Sequence, residues 1–170
     1  LLDQLITRAG LTDTDLTVVE MSPPVMPAAL ATTQIAGYCV AEPFGAKSVV
    51  LGNGHELIPA QELWPDSICC LLVFNGQFLA ANHDLTRQFV QQYKEAGKYL
   101  TEHPEVQKTI ALKYLKAKDK ILDLSLQWIS YDNLAIPRKS YDELITRMES
   151  SHLLTKAPSY EDFVDSSLYE

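Results

Sequence analysis

The hydropathy pattern changes character partway along the chain, and that change limits the folds open to it. Up to about residue 75, short β-prone runs alternate with short helix-prone runs. Leu16–Glu20, Ile35–Val40 and Glu56–Ile58 read as brief strands. Ile68–Phe74 is too short and too apolar for a surface helix, so it reads as a central strand buried on both faces. Between these runs the spacing predicts helices over Asp3–Ala9, Ala28–Thr33 and Phe44–Leu51, with Gly10 and Gly52 as their stops. Such alternation implies a parallel α/β sheet. From Asp84 onward the pattern is almost wholly helical. Leu85, Phe89, Val90, Tyr93, Ala96, Gly97 and Leu100 form the apolar stripe of a long helix ending at Glu102. His103-Pro104 interrupts it, and further helices are predicted over Glu105–Leu115 and Asp119–Trp128. Ser140-Tyr141-Asp142-Glu143 has the form of a capping box opening a helix to about Ser150. A short turn follows over Tyr160–Val164.

Composition narrows the function classes. With 46% apolar and 21% charged residues, the chain can bury a real core. Its 14 basic residues stand against 22 acidic ones, a net charge of −8. That balance argues against nucleic acid as a partner and gives no pull toward anionic lipid. The longest apolar run, Ile68–Phe74, is far short of the roughly 20 residues a membrane span needs. Cys39, Cys69 and Cys70 lack zinc-ligand spacing, and they are expected to be buried free thiols.

The search for catalytic motifs is negative. There is no G-x-S-x-G, no P-loop and no G-x-G-x-x-G, and Gly52-Asn53-Gly54 reads as a turn. His55, His83, His103 and His152 are scattered, and the acidic group Glu161, Asp162 and Asp165 reads as a solvated tail. No catalytic residue, metal-ligand set or cofactor is therefore predicted. One segment stands apart. Ala41-Glu42-Pro43-Phe44 follows a β-prone run and precedes a helix, and in a parallel sheet ligands bind beyond the C-terminal strand ends. Glu42 is either aimed at that edge or caps the helix beside it, and both readings stay open. Ser22-Pro23-Pro24 sits at the equivalent end of the preceding run.

The segment Val18–Val49 resembles the nitrate/sulfonate/taurine/bicarbonate group of ABC-transporter substrate-binding proteins. Pro23-Pro24, Met26, Ala29-Leu30, Ile35, Gly37 and Glu42-Pro43-Phe44 follow that family's pattern in order. Trp64–Val73, the helix with Ala96, Tyr99 and His103-Pro104, and the closing Lys156–Asp165 fit as well. Thr33 and Ala36 depart from it, standing about where the family usually has Gly and Asp.

The resemblance implies an α/β, type II periplasmic-binding-protein fold: the second lobe plus the helical return into the first, with the N-terminal half absent. On that basis residues 1–64 belong to the second lobe and 65–170 are the return strand and helices packing on the first. The implied function is that of a solute receptor for an ABC importer, not an enzyme. It would take a small anion, sulfonate or nitrogenous compound in an inter-lobe cleft that closes by a hinge. The implied ligand-binding residues are Glu42, Pro43, Phe44, Ser22, Pro23 and Met26. The implied partners are that small-molecule ligand and an ABC-transporter permease. The location is extracytoplasmic, with membrane attachment only through an N-terminal signal or lipid anchor outside these residues. Because Glu42 would repel a bare anion, it favours a cationic or neutral nitrogenous ligand, or an anion bridged by a cation. The same fold admits a thiamine-pyrimidine-precursor enzyme, with Cys39 near the cleft, or a ligand-sensing domain.

Overall fold

The computed structural model describes residues 1–12 and 14–169. Its helices are α1 (Leu2–Arg8), α2 (Met26–Ala31), α3 (Phe44–Val50), α4 (Ala60–Leu63) and α5 (Gly76–Ala81). They continue as α6 (His83–Glu102), α7 (Pro104–Tyr114), α8 (Asp119–Ser125), α9 (Arg138–Ser150) and α10 (Tyr160–Phe163). Single 3-10 turns cover Pro23–Val25 and Ser166–Leu168. Contacts group the chain into two compact units, Leu1–Pro65 with His103–Ser130, and Asp66–Glu102 with Tyr131–Glu170.

Among the described residues none forms a strand. The runs Leu16–Glu20, Ile35–Val40, Glu56–Ile58 and Ile68–Phe74 pair neither with each other nor with anything else in a ladder. A strand exists only when a neighbour takes up its N–H and C=O groups, so β-propensity alone does not make one. The expected burial of Ile68–Phe74 fails for the same reason: residues 69 to 73 are exposed, Val73 at 79%. The cysteines follow, since Cys39, Cys69 and Cys70 are all exposed and none is in a disulfide.

Helix ends track local chemistry more closely. After α1, Gly10 takes φ +69°, its N–H donates to Thr7 O and that of Leu11 to Ile6 O, both at 3.0 Å. This is the paired closure that a left-handed residue permits. Gly52, at φ +72°, closes α3 in the same way. Thr33 closes α2 by the same bonds, but at φ +58° with a β-branched side chain. The left-handed region costs such a residue about 1–2 kcal/mol that glycine avoids. Thr33→Gly is therefore expected to stabilise the first unit by about 1 kcal/mol net of glycine's greater unfolded-state entropy. Urea unfolding should show a higher midpoint at unchanged slope, and a lower midpoint would refute the assignment.

Two helices, α4 and α5, lie where no helix is expected from the sequence. α4 has no side-chain cap, but α5 does: Asn75 Oδ1 accepts from the N–H groups of Gln77 and Phe78 at 2.9 and 3.0 Å. The expected capping box is displaced. α9 starts at Arg138, immediately after Pro137 at φ −64°, so Ser140 lies inside the helix and is buried. The proline breaks the chain three residues before the serine and sets the boundary first.

In the first unit α3 packs against both α2 and α8. Small residues permit this: Ala29, Ala46, Ser48 and Ser125 are buried with Ile121 and Leu122. Lys108 of α7 reaches Asp123 at 2.8 Å and Asp119 at 3.5 Å on α8. The hydrogen bond to Asp123, helped by the nearby Asp119 charge, raises its pKa above the ordinary lysine value. In the second unit α6 buries Thr86, Val90 and Gly97, while Leu85, Phe89, Tyr93 and Ala96 of the expected stripe remain exposed. Tyr141 packs edge-on against Tyr160 and at a tilt against Phe163, and its hydroxyl donates to Pro158 O at 2.7 Å.

Candidate functional site

The site begins with the turn that carries Ala41–Phe44. Pro43 is the cap residue of α3 and its carbonyl accepts from Lys47 N–H at 3.1 Å. The Glu42–Pro43 peptide is cis. Glu42, one residue earlier, folds its carboxylate back over the helix start. Both of its oxygens lie near the Ala46 N–H, Oε1 at 3.3 Å and Oε2 at 3.2 Å. An acceptor there takes up one of the N–H groups that the first helical turn leaves without partners. The favourable interaction of a carboxylate with the positive helix end adds to it.

A second donor comes from α8. Ser125 Oγ donates to Glu42 Oε2 at 2.8 Å and also lies 2.8 Å from Ile121 O in its own helix. Ser125 is buried, so this hydroxyl has few alternatives to those acceptors. Gly45 makes the arrangement possible. A Cβ there would stand 2.6 Å from Glu42 Oε1, closer than side chains pack. Beside it, Tyr38 donates to Phe44 O at 2.8 Å and shares a 2.6 Å hydrogen bond with Ser48 Oγ. The turn at 41–44 is thus tied to α3 from both sides.

Of the expected ligand-binding residues, Glu42, Pro43 and Phe44 form this half-buried turn. Ser22 and Pro23 are exposed at the 3-10 turn before α2, and Met26 is half-buried at the start of α2. α2 packs on α3, but no described hydrogen bond joins Ser22, Pro23 or Met26 to Glu42. The structure adds Tyr38, Gly45, Ser48 and Ser125. Ser125 lies 83 residues from Glu42, and no local signal connects them. Helix capping and site-lining are compatible roles for Glu42. A carboxylate has about four acceptor positions, and two donors leave some unused.

Chemically, this is a carboxylate held in place by an N–H and an O–H. Such a group accepts from amines, amides or hydroxyls and repels bare anions. A shallow groove of about 680 Å³ lies elsewhere, along α9 by Arg138, Lys139, Asp142, Glu143, Thr146 and Arg147, and does not include Glu42.

The chain is similar to the ligand-binding component of an ABC-type import system from Staphylococcus aureus, whose 2.0 Å crystal structure contains bound zinc. The TM-score is 0.91 at 37% identity, covering 99% of this chain and 57% of that one. The chain thus spans little more than half the length of this structural relative. It belongs to the NMT1-like family, whose model matches residues 1–113. No curated protein matches it.

Proposed function

We propose that this chain forms part of a non-catalytic solute receptor of an ABC importer, working outside the cytoplasm and passing its ligand to a permease. The observation that carries this reading is the near-complete structural likeness to an import-system binding component at 37% identity. No helix among the described residues is long and apolar enough to cross a membrane. The β-prone runs, Ile68–Phe74 above all, are read as strands of an α/β lobe whose pairing partners lie in the part of such a receptor beyond these residues.

The ligand class follows from Glu42. A fixed carboxylate beside Pro43 and Phe44, with Ser22, Pro23 and Met26 at the neighbouring helix start, suits a nitrogenous compound that offers N–H donors. A sulfonate or other anion would need its positive partners from elsewhere. The structural relative holds zinc, but among the described residues no three His, Cys, Asp or Glu side chains come together to hold a metal ion. Zinc therefore has no part in this reading of these residues.

Calorimetric titration of the intact gene product with nitrate, taurine and an aminopyrimidine tests the proposal. The aminopyrimidine is expected to bind, and Glu42→Gln to weaken it about 10- to 100-fold, the range of one hydrogen bond to a charged group. Tight nitrate binding indifferent to Glu42→Gln would overturn the ligand class. Absence of binding across all three would remove the basis for this receptor reading.

A further inference from the structure

The segment that holds Glu42 also brings an aromatic ring beside it. Trp128 lies just past the end of α8, and its backbone N–H donates to Ser125 O at 3.0 Å. That bond ties the position of Trp128 to the residue whose hydroxyl donates to Glu42. The two side chains meet at one spot. The point where a Gly45 Cβ would stand is 2.6 Å from Glu42 Oε1 and 4.0 Å from Trp128 Cζ3. Glycine puts no side chain there, so the carboxylate oxygen and the edge of the indole flank bare backbone. The two oxygens of Glu42 are not equivalent. Oε2 takes the Ser125 hydroxyl at 2.8 Å, whereas Oε1 has only the Ala46 N–H, at 3.3 Å and shared with Oε2. The oxygen with more acceptor capacity to spare is thus the one on the Trp128 side.

Neither group is saturated by its neighbours. Among the described residues no cationic side chain pairs with the Glu42 carboxylate. Trp128 is half-buried, and among the described residues no other ring or cation packs on its indole and no acceptor takes its indole N–H. A tryptophan that only fills a core is covered, as Trp64 is at 6% exposure. We propose, on the reading of Glu42 as a ligand acceptor, that Trp128 is the specificity-determining residue of that site, selecting a planar, conjugated nitrogen compound over a saturated amine of the same charge. Both kinds of ligand can donate an N–H to Oε1. They differ in where the charge lies. In a saturated ammonium it stays on the nitrogen held by the carboxylate. In a conjugated ring it spreads across a flat face, which can lie on the indole and gain both stacking and cation–π attraction.

Calorimetric titration of the intact gene product with 4-aminopyridine and with cyclohexylamine tests this. Both are singly charged cations at neutral pH with six-membered rings, and only the first is planar and conjugated. 4-Aminopyridine is expected to bind about 10-fold more tightly, within the range of one aromatic stacking contact. Trp128→Leu should make the two affinities nearly equal, while Trp128→Phe, which keeps a ring, should retain most of the preference. Glu42→Gln should weaken both ligands by a similar factor, since both reach the same oxygen. Thermal melts check that each variant is folded. Equal affinities for the two amines, both weakened by Glu42→Gln, would overturn the role of Trp128 and leave the reading of Glu42 standing. So would a preference that survives Trp128→Leu. If the unsubstituted protein bound neither amine nor the aminopyrimidine, the reading of Glu42 would fall and the role of Trp128 with it.

Discussion

Gly97→Ala is expected to destabilise the second unit by about 2–3 kcal/mol, the cost of overpacking a tight contact. Helix propensity argues the other way. Gly97 is in the interior of α6, where alanine is favoured by about 1 kcal/mol. Packing reverses the sign. A Cβ at this position would stand 2.5 Å from the Tyr131 carbonyl oxygen and 2.7 Å from Leu134 Cδ1. Leu134 can rotate, but the carbonyl belongs to the backbone and can move only with its segment. Burial of the Tyr131 side chain also raises its pKa. In thermal unfolding the loss should appear as a fall of roughly 5–10 °C. Gly76→Ala is the control. No atom lies within 4 Å of a Cβ added there, and it opens α5. It should stabilise by about 0.5–1 kcal/mol. Equal responses of the two variants would show that the approach of α6 to Tyr131 is not a constraint of the fold.

The second large effect concerns association. The 170-residue chain on its own is expected to self-associate and to bind a hydrophobic dye such as ANS. The chain exposes 12158 Å² for a mass of 19.0 kDa. Two fully separate compact bodies of half that mass each would expose about 10,000 Å². The excess therefore does not depend on how the two units are arranged. Large apolar side chains contribute to it. Leu71, Leu72 and Val73 are exposed in the unpaired run, as are Leu85, Phe89 and Tyr93 on one face of α6. An unpaired, exposed, apolar segment is a template for strand addition. The −8 charge opposes association only weakly at physiological salt, where screening acts within about 8 Å. Sedimentation velocity should show species larger than the monomer, and Val73→Lys should shift the distribution toward it. A monomeric chain with a sharp cooperative melt and no ANS signal would contradict this.

The division between legible and illegible features follows from the range of the interactions involved. Gly10 and Gly52 marked helix ends because a left-handed residue acts over a few bonds. The Asn75 cap of α5 was equally local and passed unread, hidden by the apolar run before it. Pro137 overrode the Ser140 capping pattern, a competition between two local signals. Ile68–Phe74 shows the opposite case. Its composition reads as a central strand, yet strand formation and burial are properties of a pair of segments, and no described segment pairs with it. Its cysteines were misread for the same reason. In the site, Glu42-Pro43-Phe44 could be singled out from its position before a helix, but spacing left capping and ligand contact equally open. The fold shows the carboxylate on Ala46 N–H and Ser125 Oγ, which is capping, with acceptor positions to spare.

The sequence by itself determined where most helices start and stop, the absence of catalytic motifs, and the turn before α3 as the place to look. Those rest on backbone sterics, capping and composition, which are local. Only the tertiary structure decided that Ser125 anchors Glu42, that Gly97 is required by close approach, and that the apolar run at 68–74 is uncovered. Each of those depends on which atoms from distant parts of the chain arrive at the same place, and contacts of that kind leave no periodic trace in the sequence.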